Sequence, residues 1–246
     1  MNRIVKCGLF AGALAALAAQ PVLAQEQERE YAGAPDPKSY GYTVLMIGLA
    51  TPISLPWGFD WDVFGLNANV AYSDCNKMYG LEVAAVGDTA RLDMIGLQAA
   101  ACFCYANRDA IGAQVALVTA CNRTAYGLTA DAFSMHREFV GLRADVLASM
   151  TDTSLYGLSI AGLGSAVRED MWGWQIAVGA NFARRVHGFQ TVGICNMTDE
   201  LRGAQIGIVN YAATCSAGFQ IGLVNMIMDN QVPFLPIFNC YFPFGD

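Results

Sequence analysis

Asp131 and Asp145 are the residues of this 246-residue chain whose type and spacing come nearest to chemistry. Each stands four residues after a glycine, Gly127 and Gly141, and Arg143 lies two residues after the second of these. If the two glycines are equivalent positions of a repeat, the carboxyls are neighbours. Adjacent carboxylates repel, and one of them then holds its proton above the ordinary range. Such a pair is suited to acid–base work on a glycosidic bond. Against that use, no further carboxylate and no aromatic platform converges on the pair, and Arg143 is placed to neutralise it. Asp131, Arg143 and Asp145 are therefore read as a polar patch, and no catalytic residue is assigned.

Other chemistries find less support. The two histidines, His136 and His187, fall in different segments, in or near turns, and no His/Cys group has ligand spacing, so no metal site is expected. GLSIAGLGS contains no G-x-S-x-G elbow. The glycines lie too far apart for a phosphate loop. No cofactor is expected. Of eight cysteines, Cys7 precedes the expected leader cleavage, leaving seven, an odd number that cannot pair completely within one chain. Buried apolar thiols are the simplest reading, with one or two disulfides open after export.

The patch belongs to a repeat, clearest where GAQIGIVN at Gly203 returns as GFQIGLVN at Gly218. Eleven units can be counted from Phe64 to about Asn230, each opened by a glycine, Gly65 through Gly218, spaced 14 to 16 residues apart. The residue before that glycine is usually aromatic or branched, as in Phe64, Tyr79, Tyr126 and Trp172. The residue after it is Leu, Ala, Phe or Trp; the next is mostly polar, as in Glu82, Gln98, Gln175, Gln190, Gln205 and Gln220. Apolar, polar, apolar, small, apolar has a period of two, which is a strand with one buried face. Short polar segments such as SDCNK, SMHRE and MTDE read as turns between strands.

The fold class is all-β. Two architectures fit: a β-solenoid with one coil per ~15-residue unit, or an outer-membrane antiparallel β-barrel with one strand per unit. Three features favour the solenoid. Connections show no odd–even difference in length, whereas a barrel alternates short turns with long loops. The ninth position after the glycine is apolar in most units, for example Tyr105, Cys121, Met150, Phe182, Met197 and Ile227, which suggests a second inward wall. Asn181, Asn196, Asn210 and Asn225 recur at the strand end, where amides can stack as a ladder. Two features favour the barrel: the very apolar composition, and aromatics placed to form interface girdles. In the solenoid the apolar face would be the internal core and the Gln-rich face would be exposed; in the barrel the Asp131, Arg143, Asp145 trio would line the lumen.

Outside the repeat the chain divides simply. Residues 1–24 read as a signal peptide, with Arg3 and Lys6 ahead of CGLFAGALAALAA and Val22 and Ala24 before the cut. An uncleaved anchor helix is the alternative. Residues 25–40, QEQEREYAGAPDPKSY, read as a flexible linker. The β-repeat domain spans 41–230, and the Pro/Phe-rich stretch 231–246 reads as a cap on the last open edge. Composition is 54% hydrophobic and 14% charged. Loss of Arg3 and Lys6 moves the formal charge from −7 to −9 (−7 − 2). An acidic chain without a basic patch repels phosphates, so no nucleic-acid partner is expected.

GWQIAVGAN, GFQTVGICN, GAQIGIVN and GFQIGLVN resemble the tandem units of a family of bacterial surface-repeat proteins. The resemblance covers about residues 41–246, while units such as GLTADAF and GLRADVL depart from the pattern. It implies a surface or outer-membrane location and brings no activity and no site residues. The expectation is an exported, non-enzymatic repeat protein of the Gram-negative envelope, at the cell surface, outer membrane or periplasm. Its role would be binding or structural, with an unknown ligand or envelope component as partner; the alternative is a barrel that passes or binds a small solute.

Overall fold

The computed structural model describes residues 39–242 except 40 and 59; the expected leader lies outside the described residues, as does nearly all of the linker. Among the described residues there are strands and no helix, so none is long and apolar enough to cross a membrane, which says nothing of strands. The strands wind into a β-solenoid of about 11 turns. Successive coils pair in parallel and in register: Gly65 with Gly80, Gly80 with Gly96, Gly96 with Gly112, and so on to Gly203 with Gly218. Parallel neighbours exclude the antiparallel barrel, which would pair each unit with its reversed neighbour.

The glycine column is what lets the coils stack so closely. At Gly141 the backbone has φ +141°, and a Cβ there would lie 2.0 Å from the carbonyl oxygen of Gly127. Only glycine fits both demands.

Each coil has two walls. The first carries the unit glycine and its flanking columns, as in Trp61–Asn69 and Lys77–Ala84. The second is shorter and also pairs in parallel, as Tyr72–Cys75 does with Gly87–Ala90. The segments expected to be polar turns contain this second wall: Ser73 and Cys75 of SDCNK and Ser134 and His136 of SMHRE all point inward. The expected second wall exists, but not at one fixed offset. Asn181 and Ala183 face in, and the ninth position between them, Phe182, faces out. Where the turn is one residue shorter, Asn210 and Ala212 face in and the ninth position is the buried Ala212. Strict alternation converts that one-residue change into a change of face.

The orientation of the faces corrects the sequence reading. The Gln column is inside, with Gln98, Gln175, Gln190, Gln205 and Gln220 all fully buried. The apolar columns beside it are outside, with Leu128, Leu142, Trp174 and Phe189 about half exposed. An inward amide is acceptable because the next coil supplies its partner; Gln190 donates to Gln175 at 2.9 Å, Gln205 to Gln190 at 2.8 Å and Gln220 to Gln205 at 2.7 Å. The apolar core occupies the other half of the interior, where Met78, Met94, Phe139, Leu155, Met171 and Leu201 meet small residues of the second wall such as Ala90 and Ala183.

Both ends are closed by strands that break the pattern. Gly41–Ala50 pairs in parallel with the first coil and antiparallel with Ile53–Leu55. Phe234–Tyr241 lies antiparallel on the last coil as an edge strand, the one sheet position that tolerates Pro236.

Candidate functional site: the buried polar centre

The Gln ladder is interrupted in the middle of the rod. Glu82, Gln98 and Gln114 form one run, and Gln175 begins the next. Between them the same inward column holds Thr129, Arg143 and Ser159, and the neighbouring inward column holds Asp131 and Asp145. The structure thus brings the three sequence-chosen residues together, but buries them. The side chains of Arg143 and Asp145 have no exposed surface, and Nε of Arg143 lies 3.4 Å from Oδ2 of Asp145. Arg143 also donates from Nη1 to Thr151 Oγ1 at 3.0 Å and from Nε and Nη2 to Ser159 Oγ at 3.2 Å. Its guanidinium carbon stands 5.2 Å from the centroid of the Phe139 ring. A buried Arg this well tied offsets part of its desolvation cost.

Asp131 accepts a short hydrogen bond from Thr119 Oγ1. Burial, reinforced by Asp145, pushes its carboxyl up to about 9, so it keeps its proton at neutral pH. Oδ1 of Asp131 and both oxygens of Asp145 otherwise have no hydrogen-bond partner, and the retained proton is what can bridge them. His136 faces the same space from the second wall. It is 3% exposed, and burial, aided by Arg143, pulls its imidazole down to about 3, so it is neutral. The reading of His136 as a turn residue is therefore corrected to an inward one. His187 lies half-buried on the outer face, its ring stacked on Trp172 at 4.1 Å.

A second polar centre was not singled out from the sequence. The Glu82 carboxylate accepts from Asn67 at 2.9 Å, Ser73 at 2.8 Å and Gln98 at 2.8 Å. Burial still raises it to about 7, and burial raises the adjacent Asp88 to about 8. Glu82 had a visible signal, a lone acid in a column of amides. Asp88 had none, because its inward aim depends on the length of the preceding turn.

Neither centre opens to a substrate. A cavity beside the Arg143 centre, of about 10 Å³, is lined by Gln114, Thr129 and Phe139 among others and is no larger than a water molecule. Among the described residues no group of three or more His, Cys, Asp or Glu could hold a metal ion, and Cys75, Cys102, Cys104, Cys121, Cys215 and Cys240 are free thiols. The arrangement ties Arg143 to Asp145, Thr151 and Ser159 across a break in the amide ladder, while Thr129, Ser134 and His136 keep buried polar atoms without a hydrogen-bond partner. No family model matches the chain, and no curated protein and no solved structure matches it either.

Proposed function

We propose that this chain is an exported, non-enzymatic repeat protein of the Gram-negative cell envelope with a binding or structural role. The observation that carries the reading is the inverted surface. The groups able to do chemistry are sealed inside, while large apolar side chains such as Leu97, Tyr126, Leu142, Trp172, Trp174 and Phe189 stand outside. Contiguous exposed apolar surface beyond a few hundred Å² marks a place of contact with another apolar phase. The leader-like composition of residues 1–24 and the resemblance of the GFQIGLVN units to surface-repeat proteins support an envelope address.

The test is fractionation of a Gram-negative host expressing the full chain. The protein is expected in the envelope fraction with its N-terminus at Gln25. Uncleaved protein in the cytoplasm would refute the reading. The sealed centre is tested separately: Asp131→Asn combined with Asp145→Asn should leave any measured binding unchanged in protein that remains folded.

A further inference from the structure

We infer that the partner of the outer surface is the acyl layer of a lipid bilayer, entered edge-on by the corner of the coils that carries no charge. The inference rests on the envelope reading and names its partner.

The first ground is where the charges are. Arg91, Asp93, Arg108, Arg123, Arg168 and Arg185 all stand three to five residues ahead of a unit glycine, at one corner of the coil. Among the described residues the other outward charges of the coils gather at the same corner, Arg202 apart, which lies next to its glycine. They pair along the rod, Arg108 with Asp93 at 3.3 Å, Arg123 with Asp109 at 3.0 Å and Arg168 with Asp152 at 3.3 Å. The opposite corner, five or six residues after the glycine, carries Val146, Leu163, Val178, Ile194, Ile208 and Leu223, each about half exposed or more. Apolar groups gathered at one edge of a two-walled coil and charge at the other mark that apolar edge as a place of contact.

The second ground is the backbone of that apolar corner. A turn facing water can leave its peptide groups to water; a turn facing acyl chains cannot. The coils pair through both corners, at the charged one as Arg91 N to Cys75 O at 2.9 Å and Arg108 N to Leu92 O at 3.0 Å, so the apolar corner meets that condition: Val86 N donates to Ala71 O at 2.7 Å, Leu163 N to Leu147 O at 2.7 Å, Val178 N to Gly162 O at 3.1 Å and Val224 N to Ile208 O at 3.0 Å. The corner presents apolar side chains over a ladder that needs no solvent.

The third ground is size. From the glycine to the fifth residue after it is six residues, about 20 Å of strand, which fits within the ~30 Å hydrocarbon layer. Because the charged corner is internally paired, attraction to anionic headgroups is not what holds the protein. Binding should then survive salt and need no particular headgroup.

The experiment is flotation of the purified full chain with phosphatidylcholine vesicles. The protein is expected to float with them, and to do so equally in about 1 M salt, where exposed charge interactions are screened. Vesicles brominated on the acyl chains should quench the emission of Trp172 and Trp174, which stand on the outer wall. The triple variant Leu163→Lys, Val178→Lys, Ile194→Lys should lose at least roughly tenfold in bound fraction, since Lys is costly in hydrocarbon. Asp152→Lys with Asp199→Lys, at the charged corner, should float as the parent does. Failure of the parent to float, or a triple variant that floats as well as the parent, overturns the inference. If the triple variant does not fold, as read by circular dichroism, absence of quenching in the parent overturns it instead. Retention in cell envelopes without vesicle binding, or self-association abolished by the triple substitution without vesicle binding, overturns the lipid partner and leaves the envelope reading standing. A soluble cytoplasmic chain that ignores vesicles overturns both.

Discussion

Replacing Asp131 with Asn should change how stability depends on pH more than it changes stability itself. Burial, and behind it Asp145, raises the Asp131 carboxyl to about 9 in the folded chain. In the unfolded chain an aspartate loses its proton near pH 4. Between those values the folded chain binds about one proton more than the unfolded chain. Stability therefore falls as pH rises, by about 1.4 kcal/mol per pH unit from this group alone. The contribution is complete below about pH 4 and is gone above about pH 9. From pH 5 to pH 8 the loss is about 4 kcal/mol. Asn has no such proton, and its amide can donate towards Asp145 where the protonated carboxyl does. Glu82, Asp88 and His136 are present in both proteins, so their contributions cancel in the difference. Urea unfolding followed by far-UV circular dichroism at steps from pH 5 to pH 8 reads the effect. The parent should lose stability relative to Asp131→Asn across the whole range. Parallel curves would refute the claim that Asp131 is held protonated inside the rod.

Three further outcomes follow from the same geometry. Gly141→Ala puts a Cβ 2.0 Å from the Gly127 carbonyl oxygen at φ +141° and should cost about 3 kcal/mol or more, read as a lowered urea midpoint. Parental stability there would contradict the in-register glycine stack. Gln190→Leu removes the donor to Gln175 Oε1 and the acceptor for Gln205 Nε2, and should cost about 1–3 kcal/mol, with Gln175→Leu, Gln190→Leu together costing less than the sum of the two singles. Thiol labelling should modify Cys102, which is exposed, in the native protein. Cys75, Cys104 and Cys121, which burial raises well above the ordinary thiol range, should react only on unfolding, as counted by mass spectrometry.

Much of the fold was legible because its signals are column signals. The glycine spacing, the period of two and the Asn181 to Asn225 series each report on how equivalent residues stack, and the coils pair in that register. The direction of the faces was not legible, because alternation is the same whichever face is turned inward. Burying the apolar set is the usual answer for a soluble chain. The amides Gln175 to Gln220 overrule it here, since each finds its partner in the next coil rather than in water. The Asp131 and Asp145 pair was found for the right reason, shared column position, and given the wrong setting. From the sequence they are a polar patch beside Arg143; the structure encloses all three.

The two amide ladders show how a polar interior is kept inexpensive. In the Gln ladder each side-chain N–H donates towards the N-terminal coil: Gln220 to Gln205, Gln205 to Gln190 and Gln190 to Gln175. In the Asn ladder across the same interior the direction is reversed: Asn181 donates to Asn196, Asn196 to Asn210 and Asn210 to Asn225. Head-to-tail amides polarise one another in the same sense, so a longer ladder strengthens each of its members. Two ladders of opposite sense cancel their summed dipoles, so neither end of the rod collects partial charge. The desolvation cost is left at the ladder ends, and that is where orphaned acceptors are found: Gln220 Oε1 at the last coil, Gln114 Oε1 at the central break and Asn181 Oδ1 where the Asn series begins. A break inside a ladder creates two new ends, whereas removing a terminal member only moves one. Substitutions at Gln190 or Asn196 should therefore cost more than the same substitutions at Gln220 or Asn225. Equal costs along the column would mean that the amides act as isolated pairs and that the ladder is a pattern without cooperativity.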